Sequence, residues 1–211
     1  MPRFSKELIL FDLDGVIIDS RANMEVAWGE VCRRTGIDVP FADYFGLIGR
    51  PFGHILSLLE IHERTEEIER IFRVSSMNAL DHIHFYPDVE ETLATLKTSG
   101  LKLGIVTSKD RMRTGAVLAK MPVEFDVVET PDPRYRGKPA PDHLLTALIH
   151  THTDPDAAIY VGDMDADFEA ARRANIDYAH AAWGYGAVPD GCRNVLQDIG
   201  MILDLAEIAR R

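Results

Sequence analysis

Short apolar runs that break into acids, hydroxyls or glycine recur along this chain, with stretches of helical spacing between them. ELILFDL (residues 7–13) is the first; KLGIVT (102–107), AAIYVG (157–162) and DYAHA (177–181) follow, and FDVV (125–128) is a shorter candidate. Runs of this length without polar alternation mark parallel strands buried on both faces. Segments 89–99, 111–121, 142–150 and 165–175 carry apolar residues at helical spacing, and Gly100 and Pro122 close the first two. Strands alternating with helices predict an α/β fold, a doubly wound parallel sheet. Such sheets bind ligands beyond the carboxyl ends of their strands, so the residues just after each run are where chemistry is expected.

Residues 17–86 break this rhythm. They hold helical stretches at 20–35, 53–63 and 66–79 and no convincing strand, which predicts a small all-helical cap domain inserted after the first strand. The α/β core is then residues 1–16 and 87–211, and the insertion is placed to cover the first polar loop. With 46% hydrophobic and 27% charged residues, the 211-residue chain can supply one large core and a small accessory domain. Its formal charge of −11, with no compensating basic run, excludes nucleic acid and anionic membrane surfaces as expected partners. Cys32 and Cys192 lie far apart without a Cys-x-x-Cys pairing, which argues against a disulfide framework or a cysteine zinc site and for a reducing cytoplasm. The first apolar run ends at two aspartates, so it reads as neither a signal peptide nor a membrane span.

Four polar groups stand where chemistry is expected. Asp12 and Asp14 flank Leu13, and alternate positions of an extended segment face the same side. Gly15 then allows a tight turn that brings backbone N–H groups toward an anion. Thr107 and Ser108 follow GIV and offer hydroxyls, although Thr107 or Asp110 could instead cap the helix that begins near Arg111. Lys138 in RGKPAPD is flanked by Pro139 and Pro141 ahead of another helix. Asp163 and Asp167 in GDMDAD, four apart at a strand end and helix start, are spaced to face one cation or to complement the helix dipole. Singly each group is ordinary. Together they form the set that phosphoryl transfer from a monoester requires: a nucleophile, a proton donor, a metal site and cations for the phosphoryl oxygens.

FDLDGVIIDS, GIVTS, GKPAPD and VGDMDAD resemble motifs one to four of the haloacid dehalogenase superfamily, specifically its phosphatase branch with a helical cap, similar to phosphoglycolate phosphatases. The likeness runs from about residue 8 to 186 and includes WGYG at 183–186. The resemblance implies that Asp12 attacks phosphorus to give an aspartyl phosphate, and that Asp14 protonates the departing alkoxide and then activates water. It implies Mg2+ as cofactor, held by the Asp12 carboxylate, the backbone carbonyl of Asp14 and Asp163, with Asp167 as a support or water-mediated ligand. Thr107, Ser108 and Lys138 would bind the phosphoryl oxygens of a small phosphorylated metabolite. Monomer and homodimer are both left open by the resemblance.

Other branches of that superfamily are weighed by single residues. Asp14 speaks against a dehalogenase, which needs no proton donor for an oxygen leaving group. Val16 keeps a β-phosphoglucomutase-like phosphomutase in view, but Met24 stands where those mutases place a histidine. A phosphonatase needs a cap lysine, and residues 17–86 contain none. TSKDRMRT (107–114) resembles the second motif region of bacterial pyrophosphatases, which adds pyrophosphate to phosphoglycolate and sugar phosphates as candidate substrates. A non-catalytic binding protein on this fold would be expected to lose Asp12 or Lys138 first. Arg50 in IGRPF, with His54 one turn on, is placed either to pair with a substrate carboxylate or second phosphate or simply to be solvated. Arg134 and Arg136, in a basic stretch before Lys138, form either a specificity feature or a surface loop. His62, His82, His84, His143, His150, His152 and His180 show no ligand-like cluster, and Phe11, Trp28 and Phe168 read as core.

Overall fold

The computed structural model of the protein describes residues 6–206. The chain begins with β1 (Leu8–Phe11) and a two-residue strand β2 (Ile18–Asp19), then runs through α1 (Arg21–Thr35), α2 (Phe41–Phe45), α3 (Phe52–Leu58) and α4 (Thr65–Asn78) and returns through β3 (His84–Phe85). Strands and helices then alternate: α5 (Val89–Thr98), β4 (Lys102–Val106), α6 (Arg111–Leu118), β5 (Val127–Glu129), α7 (Asp142–Thr151), β6 (Ala158–Gly162), α8 (Asp165–Ala174), β7 (Asp177–Ala181), β8 (Asn194–Leu196) and α9 (Ile202–Leu205).

Six strands form one parallel sheet in the order β5-β4-β1-β6-β7-β8. The period of two along each strand divides its side chains between two cores. Ile9, Phe11, Leu103, Ile105, Ile159 and Val161 pack toward Val89, Leu93 and Leu96 of α5 and Ile202 of α9. Leu8, Leu10, Val106, Ala158 and Tyr160 pack toward Leu144 and Ala147 of α7 and Ala170 and Ala171 of α8. Phe11 is level with Ile105 on one side and Val161 on the other, so β4, β1 and β6 end side by side. The chain visits β4 and β5 on one side of β1 and crosses back to β6, which places the switch point, and the crevice it opens, beside Asp12.

α1 to α4 make a third core of their own, around Trp28, Tyr44, Ile55, Ile68 and Phe72. Trp28 stacks on Tyr44 with centroids 4.5 Å apart. Buried Asn23 donates to the carbonyls of Ser76 and Ala79 and accepts from the Ser76 hydroxyl, tying α1 to the end of α4 with its amide fully used. Met164 and Tyr185 of the sheet's loops also pack against this cluster, so the helices rest over the carboxyl ends of the strands.

Differences from the sequence reading lie in short elements. Residues 17–86 do contain strand: β2 and β3 pair antiparallel, Ile18 with Phe85 and Asp19 with His84, where the chain enters and leaves the helices. Two residues are too few to show a period. β8, α2 and α9 span three to five residues and escape notice for the same reason. Among the described residues no helix is long and apolar enough to cross a membrane.

Candidate active site

β1 delivers Asp12 to the switch point, and the chain then turns tightly, with the Gly15 N–H donating to the Ile18 carbonyl and the Ile18 N–H to the Leu13 carbonyl. The two carboxylates of this loop line the same cavity but meet different partners. Asp12 lies 3.0 Å from the Lys138 ammonium, in an ion pair whose angles fall short of a hydrogen bond. Asp14 accepts from the Ser20 hydroxyl and pairs with the Lys109 ammonium at 2.9 Å.

Lys138 is 3% exposed and fully engaged. Its ammonium donates to Asp167 Oδ1 at 2.6 Å and to the Tyr160 hydroxyl at 3.1 Å besides pairing with Asp12. Burial works to lower its pKa, but the Asp12 and Asp167 carboxylates outweigh that and raise it. Asp167 Oδ1 also accepts from Tyr160, and its Oδ2 accepts the backbone N–H groups of Asp163 and Met164. Both oxygens of Asp167 are therefore committed to fixing Lys138 and the first turn of α8.

Asp12, Asp163 and Asp167 have ligand oxygens within 4.8 Å of one another, all buried. Burial pushes the Asp12 carboxyl up to about 7, against the pull of Lys138. Burial, then Asp167 and Asp12, raises Asp163 well above the usual carboxylate range. Asp163 Oδ2 accepts the Tyr185 N–H at 2.7 Å, while Oδ1 is buried without a hydrogen-bond partner, as is Asp12 Oδ1. The Lys138 ammonium already offsets the charge on Asp12 Oδ1, but Asp163 Oδ1 has no such neighbour, and a buried carboxylate oxygen of that kind is costly unless a cation satisfies it; an all-oxygen donor set suits a hard divalent ion such as Mg2+.

The WGYG segment shapes this corner. Trp183 Nε1 donates to the Val16 carbonyl, and the Tyr185 hydroxyl accepts the Ser20 N–H and donates to Asp19. A Cβ on Gly15, whose φ is +85°, would lie 2.1 Å from Asp163 Oδ2. Gly15→Ala is accordingly expected to cost about 2–4 kcal/mol of stability, backbone strain adding to a displaced buried carboxylate. Chemical denaturation measures it, and a loss under about 1 kcal/mol would mean Asp163 yields freely.

Thr107 and Ser108 leave β4 beside Asp12. Asp110, not Thr107, caps α6, accepting the N–H groups of Met112 and Arg113. Thr107 Oγ1 accepts the Lys109 N–H, and Ser108 Oγ donates to the Gly49 carbonyl, linking this loop to the helical segment. Arg50 lines the cavity, donates only to the Leu47 carbonyl, and has no ion pair among the described residues. His54 is exposed on α3 and does not line the cavity. Arg134 pairs with Asp132 and Arg136 with Asp142, with both arginine side chains at least three-quarters exposed, which makes that stretch a locally satisfied surface loop.

Sequence reasoning missed Lys109, Arg113 and Tyr160. Lys109 and Arg113 are 5% and 8% exposed and line the cavity, Arg113 lying over the Phe72 ring with its guanidinium paired to Asp110. Burial lowers the Lys109 pKa while Asp14 supports it. The available signal was a lysine directly after the Thr107-Ser108 pair, and a tyrosine seven residues before Asp167 in an otherwise aliphatic strand.

A parallel sheet whose switch point gathers paired carboxylates, a buried lysine and a helical cover defines a phosphoryl-transfer hydrolase. The profile of the haloacid dehalogenase-like hydrolases matches residues 9–181, and the chain belongs to that family. It is a phosphatase of the phosphoglycolate phosphatase-like branch. It is 31% identical to a phosphoglycolate phosphatase of Aquifex aeolicus, covering 93% of this chain and 96% of that one. It is 32% identical to pyrophosphatase PpaX of Bacillus velezensis, covering 83% and 82%. A crystal structure of a hydrolase from Pseudomonas syringae superposes with a TM-score of 0.86 at 26% identity, over 97% of this chain and 100% of that one.

Proposed function

We propose that this chain is a magnesium-dependent phosphomonoesterase acting on a small phosphorylated metabolite of the phosphoglycolate kind, with Asp12 as nucleophile and Asp14 as acid and base. The observation that carries this is the division of labour in one loop: in the one cavity Asp12 faces Lys138 and the buried carboxylates, while Asp14 faces Ser20 and Lys109. Asp12 attacks phosphorus and the phosphoryl group becomes an aspartyl phosphate. Asp14 gives a proton to the departing alkoxide and takes one from the water that hydrolyses the ester. Lys138 holds phosphoryl oxygens, with the Thr107 and Ser108 hydroxyls beside it, and Asp167 and Tyr160 fix its ammonium. Asp12, Asp163 and the Asp14 carbonyl would hold Mg2+, which would supply the positive charge that lets a carboxylate approach a phosphate dianion.

On this reading residues 17–86 are a cap over a core of residues 1–16 and 87–211, and the β2–β3 pair ties its two connecting segments together. Free Cys32 and Cys192 fit a reducing cytoplasm. A pyrophosphatase reading stands second, supported by Lys109 and Arg113 in the cavity and by the PpaX relative. A phosphate-release screen over phosphorylated metabolites, with magnesium and with the metal chelated and with Asp12→Asn as blank, tests the proposal. Equal release by wild type and variant defeats it.

The cation has a pH signature. The folded-state Asp12 value of about 7 lies above the free value of 3.8. Between those values the folded protein keeps a proton that the unfolded chain has lost, so stability falls as pH rises through about 4 to 7. A cation in the site takes the place of that proton, and added magnesium is expected to raise Tm more at about pH 8 than at about pH 5. Equal shifts at both would place the ion elsewhere.

A further inference from the structure

Ser20 begins α1 but does not cap it. It stands at the N-cap position, where its carbonyl accepts the Met24 N–H, and a serine there ordinarily accepts a first-turn N–H through its hydroxyl. No such bond forms. The hydroxyl donates to Asp14 Oδ1 instead, from a fully buried side chain. The tasks of a capping serine fall to its neighbours. Asp19 Oδ1 accepts the Arg21 N–H at 3.1 Å, and the Tyr185 hydroxyl accepts Ser20's own N–H at 2.7 Å. That hydroxyl also donates to the same Asp19 oxygen at 3.0 Å, so one phenol holds both residues.

Tyr185 is fixed from the opposite side as well. Its N–H donates to Asp163 Oδ2 at 2.7 Å, and the glycines flanking it let the backbone lie against that aspartate. A Cβ on Gly184 would be 2.3 Å from the Asp163 Cβ, and one on Gly186 would be 2.2 Å from the Asp163 carbonyl oxygen. The Tyr185 ring meets Phe45 of α2 edge-on, with centroids 5.0 Å apart. Three hydrogen bonds therefore run in series from Asp163 through Tyr185 and Ser20 to Asp14. At the far end, the Ser20 hydroxyl and the Lys109 ammonium both meet Asp14 Oδ1. An oxygen that faces a hydroxyl and an ammonium is the poorer place for a proton, which leaves Oδ2 to carry it.

We propose that Tyr185 is a positioning residue for Asp14, acting through Ser20: by holding the Ser20 N–H and the Asp19 carboxylate, it keeps the Ser20 hydroxyl off the helix and on Asp14, so that Oδ2 presents the proton to the leaving oxygen. The proposal rests on the phosphatase reading above. Without the phenol hydroxyl, the Ser20 N–H and Asp19 lose their shared partner and the Ser20 hydroxyl turns to its own helix. Asp14 then loses the donor that selects which of its oxygens is protonated.

The test is how strongly turnover depends on the need of the leaving group for a proton. p-Nitrophenolate leaves without one, whereas the alkoxides of ethyl phosphate and 2-phosphoglycolate require one. kcat/KM covers the steps through loss of the alcohol, so the later hydrolysis of the aspartyl phosphate, common to all three compounds, does not enter. Tyr185→Phe is expected to lower kcat/KM for the alkyl esters by on the order of 10-fold relative to that for p-nitrophenyl phosphate, and Ser20→Ala should do the same. Ser20→Thr, which keeps a hydroxyl, should hold the relative value within about threefold of the wild type. The two losses lie on one path, so Tyr185→Phe combined with Ser20→Ala should lose no more than Ser20→Ala alone. A merely loosened helix would slow all three compounds alike. That result in Tyr185→Phe overturns the assignment, as does an unchanged relative value, a relative loss that Ser20→Ala does not reproduce, or additive losses in the double variant. Wild-type turnover of p-nitrophenyl phosphate with none of either alkyl ester also overturns it, because Asp14 then protonates no alkoxide, while the phosphatase reading stands. Release of phosphate from none of the three with magnesium defeats that reading itself.

Discussion

Asp12→Asn is expected to abolish phosphate release from every monoester, a loss of about 10⁴- to 10⁶-fold in kcat on the scale of removing a covalent nucleophile, while the protein melts no lower than the wild type in the absence of metal. The two halves of this expectation share one cause. Asp12 is buried beside Asp163 and Asp167, and the crowding of three carboxylates around one lysine is what makes the site reactive and unfavourable to fold. The amide has the same shape and no charge, so packing is preserved and repulsion falls. Lys138 keeps Asp167 and Tyr160 as partners in the variant. Phosphate release and thermal melts with and without magnesium check both halves, and the magnesium-dependent rise in Tm should shrink in the variant. Residual activity within about tenfold of the wild type would show that another group attacks phosphorus.

Removing the lysine should act in the opposite sense on stability. Lys138→Met is expected to lose about 3–5 kcal/mol, because it strands Asp12 and Asp167 in the interior without their cation. Activity should fall by at least about 10³-fold, since the phosphoryl oxygens lose their fixed positive partner as well. A buried ion pair is no measure of net stability, but deleting one half of it is. The distinguishing experiment is the double variant: Lys138→Met with Asp167→Asn should recover at least half of the lost stability and none of the activity. Urea denaturation and phosphate release report on the two. Additive losses would mean that Asp167 is carried by the Asp163 and Met164 backbone N–H groups and Tyr160 alone.

How much was legible in the sequence follows from how each residue is held. The strand that delivers Asp12 is visible because LILF, residues 8–11, has no polar position, and burial on both faces needs none. Lys138 and Asp163 stand out because their neighbours leave a local mark: Pro139 and Pro141 restrict the backbone after the lysine, and Asp163 follows an apolar run closed by Gly162, where a Cβ would collide with Asp167. Lys109 leaves no such mark. Its burial depends on α1 to α4 folding back over the loop and on Asp14 lying across the crevice, neither of which is a property of residues 107–114. Tyr160 sits in a strand where an aromatic reads as packing, and most of its ring is packing; only its hydroxyl, placed between Lys138, Asp167 and the Val106 carbonyl, belongs to the site. Arg134 and Arg136 show the reverse case, a pair that the sequence left open between a specificity feature and a surface loop. Two arginines before a key lysine attract attention, yet Asp132 and Asp142 hold them at the surface.

The claim on which the rest depends is that Asp12 becomes phosphorylated. Enzyme mixed with excess substrate and magnesium, quenched in acid within the first turnover and reduced with borohydride, converts an aspartyl phosphate to homoserine, which mass spectrometry locates within the peptide around residues 7–20. The mechanism predicts homoserine at position 12, none at position 14, and none in Asp12→Asn or with the metal chelated. Homoserine at Asp14, or full turnover with no modified aspartate at any time, would contradict it.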